Sequence, residues 1–375
     1  MMDQAGMTLR PPETDTFRVR NPRSKMSTSD ISRIIDESCR RLLQSSSPSV
    51  RYWLLTDIQG KGREDSIVQR TLTDCERYPA RMKLLRTMKE DGTWPAQNGV
   101  RHRDGTEPRG STDQIQATVY RNLLGLLHFV TGPDDGGVRR ALERLLEGQT
   151  EEGHLRGPMA HGLPQPHYDG YALYILFGFY MEHDARVKRV ADRLMSSQRK
   201  DGGWSMPYLQ DVRYLEEYRH LKMDEFIRLM ETDERDRHDP RSIQDVPSCH
   251  WTTMMVLWGL GDLPAYRRSR CVQRGADFLL SRFFQKSPHS NFYEGRKNWT
   301  TLKYPSNRCS GLAALEILTK MGKGPDDPRM DKPIKWLIAQ RYRDGLWTES
   351  NRPHMERDQW LTLGALETLN RYNNS

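Results

Sequence analysis

A chain of 375 residues with 36% hydrophobic and 29% charged side chains is long enough to bury a substantial core and too apolar for a disordered polymer. No apolar run approaches the roughly 18 residues of a membrane-spanning helix, no secretory signal precedes the first predicted helix, and the five scattered cysteines form no Cys-x-x-Cys pair. A spanning segment, a disulfide framework and a zinc ribbon are therefore not expected, and a cytoplasmic location is; the formal charge of +8 favours anionic partners or peripheral contact with an acidic membrane, but its dispersal and the lack of any recognition motif argue against nucleic acid.

Residues 1–27, which include PPETDTFRVRNPRSK, are polar, Pro-rich and aperiodic, and read as a disordered tail. From residue 28 the chain reads as one domain to residue 375. A one-sided helix at about 28–44 is followed by VRYWLLTDI (50–58), which is apolar on more than one face. The same alternation then continues. MKLLRTMKEDGTW (82–94) precedes DQIQATVYRNLLGLLHFV (113–130), and ALERLLEGQTEEGHL (141–155) precedes DGYALYILFGFYM (169–181). VADRLMSSQRKDGGW (190–204) leads, across a charged insert at 205–246, to CHWTTMMVLWGL (249–260). A degenerate one-sided helix at about 268–284 and a long connection at 285–306 lead to CSGLAALEIL (309–318), and IKWLIAQRYRDGLW (334–347) leads to DQWLTLGALETL (358–369). A helix apolar all round is buried between neighbours, whereas a one-sided stripe lies at the surface. Six pairs of surface and buried helices are thus predicted, and they close most simply into an all-α, α/α toroid with inner and outer rings. The insert should carry one or two amphipathic helices over a rim, as a lid or a surface for a protein partner.

Aligned on glutamine, the one-sided segments repeat. Gln149, Gln198 and Gln340 each precede a turn glycine, Gly153, Gly202 or Gly345, and Met88 occupies the position in the earlier copy. Asp residues upstream, in DDGGVRR (134–140), HDARVKR (183–189) and DDPRMDK (326–332), are placed to cap the helices, and each glycine to end one in a left-handed conformation. The glutamine and tryptophan are expected to clamp one repeat on the next, Gln bonding backbone and Trp covering the turn.

The pattern Trp336, Gln340, Gly345, Trp347 resembles the QW motif of squalene-hopene and oxidosqualene cyclases, and its copies resemble the prenyltransferase and squalene cyclase repeat over most of residues 28–372. The resemblance implies an α/α toroid that accommodates an isoprenoid. Two features of that superfamily are altered here. The DxDD acid motif of protonating cyclases is absent. The Asp-x-Cys and distant His that hold zinc in prenyltransferases correspond to Asn307-Arg308-Cys309 and His354. The diphosphate-binding Gly-Arg and Lys of those enzymes correspond to Gly295, Arg296, Lys297 and Lys303, in the same order but more widely spaced.

If the inner helices are parallel, their amino ends gather at one face, where backbone amides and helix dipoles favour an anion. The candidate catalytic residues are Asp169, His167 and Asp113, which begin these helices; His161 and His167 could serve as an acid/base pair with Asp169 orienting one ring. Capping equally accounts for Asp113, Asp169 and Asp358. Cys249, His250, Cys309 and His354 would together make a tetrahedral zinc site, and singly the cysteines are ordinary buried hydrophobes. Tyr52, Tyr168, Trp251 and Trp360 would line a cavity for a hydrophobic or isoprenoid molecule, with Arg296, Lys297 and Lys303 on a diphosphate; the same rings could instead fill the ring's centre. The functional expectation is a cyclase-like or prenyltransferase-like protein that binds, or binds and transforms, such a molecule. The alternative is a non-catalytic interaction module with a filled centre, its partner recruited by the 205–246 insert.

Overall fold

The computed structural model describes residues 27–95, 111–155, 157, 163–207, 210, 214–237, 245–289, 296–305, 309–349 and 355–375. The predicted tail lies outside these residues except for Ser27. Among the described residues the chain is all-α: fifteen α-helices and no strand, with one isolated bridge between Arg341 and Trp347. No helix among them is long and apolar enough to cross a membrane.

The one-sided helices are α1 (Thr28–Leu42), α4 (Pro79–Thr87), α6 (Val138–Leu146), α8 (Ala185–Ser196), α12 (Arg270–Ser281) and α14 (Asp331–Ala339). In α8 the buried residues Val187, Val190, Ala191 and Leu194 recur at the spacing of one helical face, and Asp184 caps the first turn by accepting the Arg186 amide at 2.7 Å. The buried segments are α2 (Pro48–Trp53) with its π-helical continuation Leu54–Ile58, α5 (Ser111–His128), α7 (Pro166–Gly178), α10 (His250–Leu260), α13 (Gly311–Lys320) and α15 (Met355–Asn373). Every residue of α10 except Trp251 is buried. Such all-round burial needs neighbours on every side, and α10 has them: α7, α12 and α13 all pack on it. The α7–α10 contact is backbone on backbone. A Cβ at Gly170 would stand 2.3 Å from the Met255 carbonyl, and one at Gly259 would stand 2.2 Å from that of Gly170, so neither position admits a side chain.

Packing follows chain order. Helix α5 lies on α7, α10 on α13, α13 on α15, and α15 on α2 and its π turn. Trp53 joins α2 to the end of α5 by donating its indole N–H to the His128 carbonyl at 2.8 Å. The ends of the described chain also meet: α1 packs along α15, and Asn373 donates to the Ser32 hydroxyl at 3.0 Å.

The turns after the one-sided helices recur closely. Lys89, Thr150, Arg199 and Tyr342 each donate their amide to the carbonyl four residues on, at 2.7–3.0 Å, and accept from the glycine amide between them. The glycines Gly92, Gly153, Gly202 and Gly345 have φ of +78°, +96°, +95° and +86°, left-handed as expected, but they stand in this turn and not at the helix caps, because each helix ends several residues earlier. The clamp is also as expected for tryptophan. Trp94, Trp204 and Trp347 are buried, and each donates its indole N–H to a carbonyl ten residues back, Leu84, Leu194 or Leu337, at 2.7–2.8 Å.

The glutamine alignment needs one correction. Gln149 and Gln198 donate to the turn carbonyls of Gly153 and Gly202 and also to Arg186 and Cys271 in the first turns of α8 and α12. Gln340 is exposed, and Arg341 stands in its place, its Nε donating to the Gly345 carbonyl at 3.2 Å and its guanidinium pairing with Glu37 of α1 at 3.0 Å. The sequence hides this because Gln340 is one residue too far from Gly345.

Three further expectations differ. Asp134 and Asp135 do not cap α6, whose first turn follows the left-handed Gly137; Asp135 instead accepts from the Gly132 amide and pairs with Arg81 at 2.8 Å. Asp327 caps a 3-10 turn, Pro328–Met330, ahead of α14. A helix the periodicity did not reveal, α3 (Ser66–Glu76), packs on α2 through Val68 and Cys75. The insert folds over a small core of its own, in which Tyr218, Phe226 and Met230 meet Leu163 around the short helix α9 (Met223–Leu229), and one further short helix, α11 (Pro264–Arg267), follows α10.

Candidate functional site

The buried helices leave a cavity of about 280 Å³ between their carboxyl-terminal halves. All six contribute: Trp53 and Asp57 from α2 and its π turn, His128 from α5, Tyr174 from α7, Trp258 from α10, Glu316 and Lys320 from α13, and Trp360, Glu367 and Arg371 from α15, with Tyr304 from the preceding loop. Contributions from the same end of every helix mean that these helices run in one direction, as expected. The open space, however, is at the opposite end from the one anticipated.

The walls are aromatic. Tyr174 stacks on Trp258 with centroids 3.9 Å apart, and Trp360 stacks on both His128, at 5.2 Å, and Tyr304, at 5.4 Å, two rings that are themselves 5.7 Å apart. His128 Nδ1 lies 2.6 Å from the Tyr304 hydroxyl, and burial pushes the imidazole down to about 4, so this ring is a neutral part of the wall at physiological pH. About one helical turn nearer the carboxyl ends stand the charges Asp57, Asp262, Glu316 and Glu367, opposed by Lys320 and Arg371. Lys320 pairs with Asp262, and Arg371 donates to Glu367 at 2.8 Å. The Asp57 carboxyl is exposed where it opens onto the cavity, yet the protein around it still disfavours its charge; this desolvation, reinforced by Glu367, raises it to about 6. Burial first, then the charges of Asp262, Glu367 and Glu316, hold the Tyr174 phenol protonated well above its usual range.

Of the residues singled out in the sequence, Trp360 lines this cavity. Tyr52 turns outward into a satellite cluster with Leu55, Val68 and Cys75. Tyr168 and Trp251 lie at the amino ends, with ring centroids 4.4 and 4.3 Å from His167. His167 is 1% exposed, neither ring nitrogen has a hydrogen-bond partner among the described residues, and burial pushes it down to about 3, so it is a poor proton acceptor near neutrality.

Asp169 orients a histidine, but not His167. It accepts from His154 Nδ1 at 2.9 Å and from the Leu155 amide at 2.8 Å, while Arg193 donates to His154 Nε2 at 3.0 Å. Nor does it cap α7, which begins three residues earlier at Pro166. Thr253 and Thr362 play the same part in later repeats, each hydroxyl accepting the amide of Trp204 or Trp347 at 2.9 Å. Asp169 therefore ties the turn after α6 to α7. Asp358 similarly lies inside the first turn of α15 and accepts from the Glu349 amide at 3.3 Å.

Cys309 is buried, with its thiol raised well above the ordinary range by burial and then by Cys249 nearby; such a thiol is not poised as a thiolate ligand. His250 is pushed down to about 4 by burial and by Arg282. Among the described residues no group of three or more His, Cys, Asp or Glu could hold a metal ion, so the zinc set finds no support there. His354, His161, Gly295, Asn307 and Arg308 lie outside the described residues, and Asp113, Arg296 and Lys297 are described only in their backbone, in α5 and in a 3-10 turn (Arg296–Thr300). Lys303 Nζ donates to Asn298 Oδ1 at 3.4 Å, away from the cavity.

The charged residues of the cavity were missed because they interrupt the ends of otherwise apolar segments, where they read as solvated helix termini. Their recurrence was the available signal, since Asp57, Asp262, Lys320 and Arg371 all fall at or beyond the carboxyl end of a buried segment. Compared with models of protein families and with curated protein sequences, the chain matches none.

Proposed function

We propose that the chain is a closed α/α toroid of six helical hairpins that binds a hydrophobic small molecule of the isoprenoid class in its central cavity, as a cyclase-like or prenyltransferase-like protein. The observation that carries this reading is the aromatic cavity itself. Its volume of about 280 Å³ is roughly twice that of a cavity that takes up benzene, which suits a body of ten or so carbon atoms. Closure of the ring is supported by the contact of α1 with α15 and by Arg341 and Gly345, which touch α1 as the earlier turns touch α8 and α12. The open centre counts against the filled-centre interaction module.

The diphosphate-handling version of the reading is the weaker one. Four carboxylates outnumber two cations at the cavity's charged end, and that end faces helix carboxyl termini, both of which repel phosphate. The test is native mass spectrometry and thermal shift of the purified chain with geraniol, farnesol and squalene. Binding of at least one, lost on Trp360→Ala with the fold retained, is the expected result. Absence of binding across all three overturns the proposal.

A further inference from the structure

We propose that the groove between the end of α12 and α14 docks an acidic segment of a protein partner, its carboxylates on Lys332 and Lys335 and one apolar side chain against Phe284 and Trp336. The site belongs to the one-sided helices and is independent of the central cavity.

Three observations carry it. The first is where the charge sits. Residues 264–344 hold 17 Lys and Arg against 7 Asp and Glu, so this stretch more than accounts for the formal charge of +8 and leaves the rest of the chain close to neutral. Some of its cations are committed elsewhere: Arg267 to the Gly261 and Asp262 carbonyls, Lys320 to Asp262, and Arg341 to Glu37. Its carboxylates are also engaged away from the groove. Asp277 and Asp327 are held by Lys323 and Arg329, Glu316 lines the central cavity, Asp331 approaches Tyr372 of α15, and Asp344 accepts the Leu346 amide in its own turn. Asp326 does not line the groove, and Glu294 lies outside the described residues. The second observation is shape. A groove of about 610 Å³ is lined by Phe284, Thr300, Lys332, Lys335 and Trp336, with no carboxylate in its wall. Trp336 is pinned there, since its ring would stand 2.7 Å from a Cβ on Gly311. The third is Phe284 itself. Its φ of +65° is costly for a bulky residue and suits glycine. The conformation lets Phe283 pack inward on Trp299, with centroids 4.6 Å apart, while Phe284 lines the groove under Lys332 Nζ, 5.0 Å from its centroid.

The same details choose among acidic partners. A nucleobase stacks on an open ring face, and Lys332 already covers one face of Phe284. A flat anionic bilayer does not reach rings that are half-buried beside lysine stems. A narrow acidic chain with a side chain to insert meets both the charge and the rings.

A fluorescein-labelled peptide of Glu and Asp around one Leu is titrated into the full chain by anisotropy at low and moderate salt. Beside it run the same peptide with Ser for Leu, a counterpart with Lys for each acid, a thymidine oligonucleotide and phosphatidylserine vesicles. The acidic Leu peptide is expected to bind at least tenfold more tightly than its Ser counterpart, and to weaken as salt rises. Lys332→Glu combined with Lys335→Glu should abolish that binding and admit the lysine peptide, a gain that damage to the fold would not produce. Phe284→Gly, at a φ that glycine favours, should keep the circular dichroism of the fold and erase the advantage of Leu over Ser. Absence of binding by the acidic Leu peptide, equal binding by the Ser peptide, or tighter binding of the oligonucleotide or the vesicles overturns the inference and leaves the central cavity reading untouched.

Discussion

Asp57 sits where stability and binding pull apart. Its carboxylate is exposed toward the cavity, but desolvation by the protein beside it and the charge of Glu367 hold it in an unfavourable place, which is why it is raised to about 6; Thr56, donating at 2.8 Å, and Arg371 and Lys320 offset this only in part. A carboxyl whose folded value lies above its unfolded value of about 3.9 disfavours the native state once both states are ionised, and ceases to do so when both are protonated. Asp57→Asn should therefore raise the thermal midpoint near pH 7.5. The gain should shrink as pH falls through about 6 and vanish below about 4. Scanning calorimetry of both proteins at three pH values reads it, and a gain that grows toward acid would show that the carboxylate is stabilising after all. A residue that destabilises the fold while serving the cavity is the expected signature of a functional position.

At the scale of elements, the unit that repeats is a one-sided helix, a left-handed turn and a tryptophan, and its side chains act between units. Gln198 illustrates the economy of the arrangement, since one amide satisfies the Gly202 carbonyl of its own turn and the Cys271 carbonyl of α12. In the last unit Arg341 does this work, and Gln340 is exposed. Arg341→Ala should cost about 1–3 kcal/mol, because it strips the Gly345 carbonyl and Glu37 of a charged partner, whereas Gln340→Ala should stay within about 0.5 kcal/mol. Urea unfolding of the two variants checks this, and equal losses would return Gln340 to the motif. The helices were legible because stripe width along the sequence distinguishes α8, buried on one face, from α10, buried on all. Helix α3 was not, since Val68, Thr71 and Cys75 make a stripe too thin to separate from a loop. The register of Arg341 was not either, because one extra residue between Gln340 and Gly345 is invisible until the turn's hydrogen bonds fix the count.

For the molecule as a whole, chain order could suggest that the buried helices lie side by side but not at which level between them a gap would stay open. That outcome depends on side chains from different helices meeting at one level. At the amino ends Tyr168, His167 and Trp251 close on one another, whereas Trp258 near the end of α10, Trp360 in the first half of α15 and Tyr304 in the loop before α13 line walls that leave a gap. Filling the amino end has a consequence for the response to acid. His167 and His250 are buried and neutral, pushed down to about 3 by desolvation and to about 4 by desolvation and Arg282, and half-buried His128 in the cavity wall is pushed down to about 4 by desolvation. In the unfolded chain each would take a proton near 6.5, so their contribution to stability is complete above that value and is lost as pH falls toward the folded values. By about pH 5 His167 and His250 should each have removed about 2 kcal/mol and His128 less, since it too reaches the cavity's water, against which Asp57, shifted the other way, gives back a smaller amount for the same reason. The carboxylates of Asp184 and Asp327, held low by hydrogen bonds from Arg186 and Arg329, keep their contribution until below about pH 4. Unfolding midpoints should therefore fall steeply between about pH 6.5 and 4.5, ahead of ordinary carboxylate titration. His167→Phe, which keeps a ring between Tyr168 and Trp251 and removes two buried nitrogens without partners, should both stabilise the protein and flatten that slope. Chemical denaturation across this range decides it, and a slope unchanged by the substitution would mean that His167 is already protonated in the native protein or still neutral in the unfolded one.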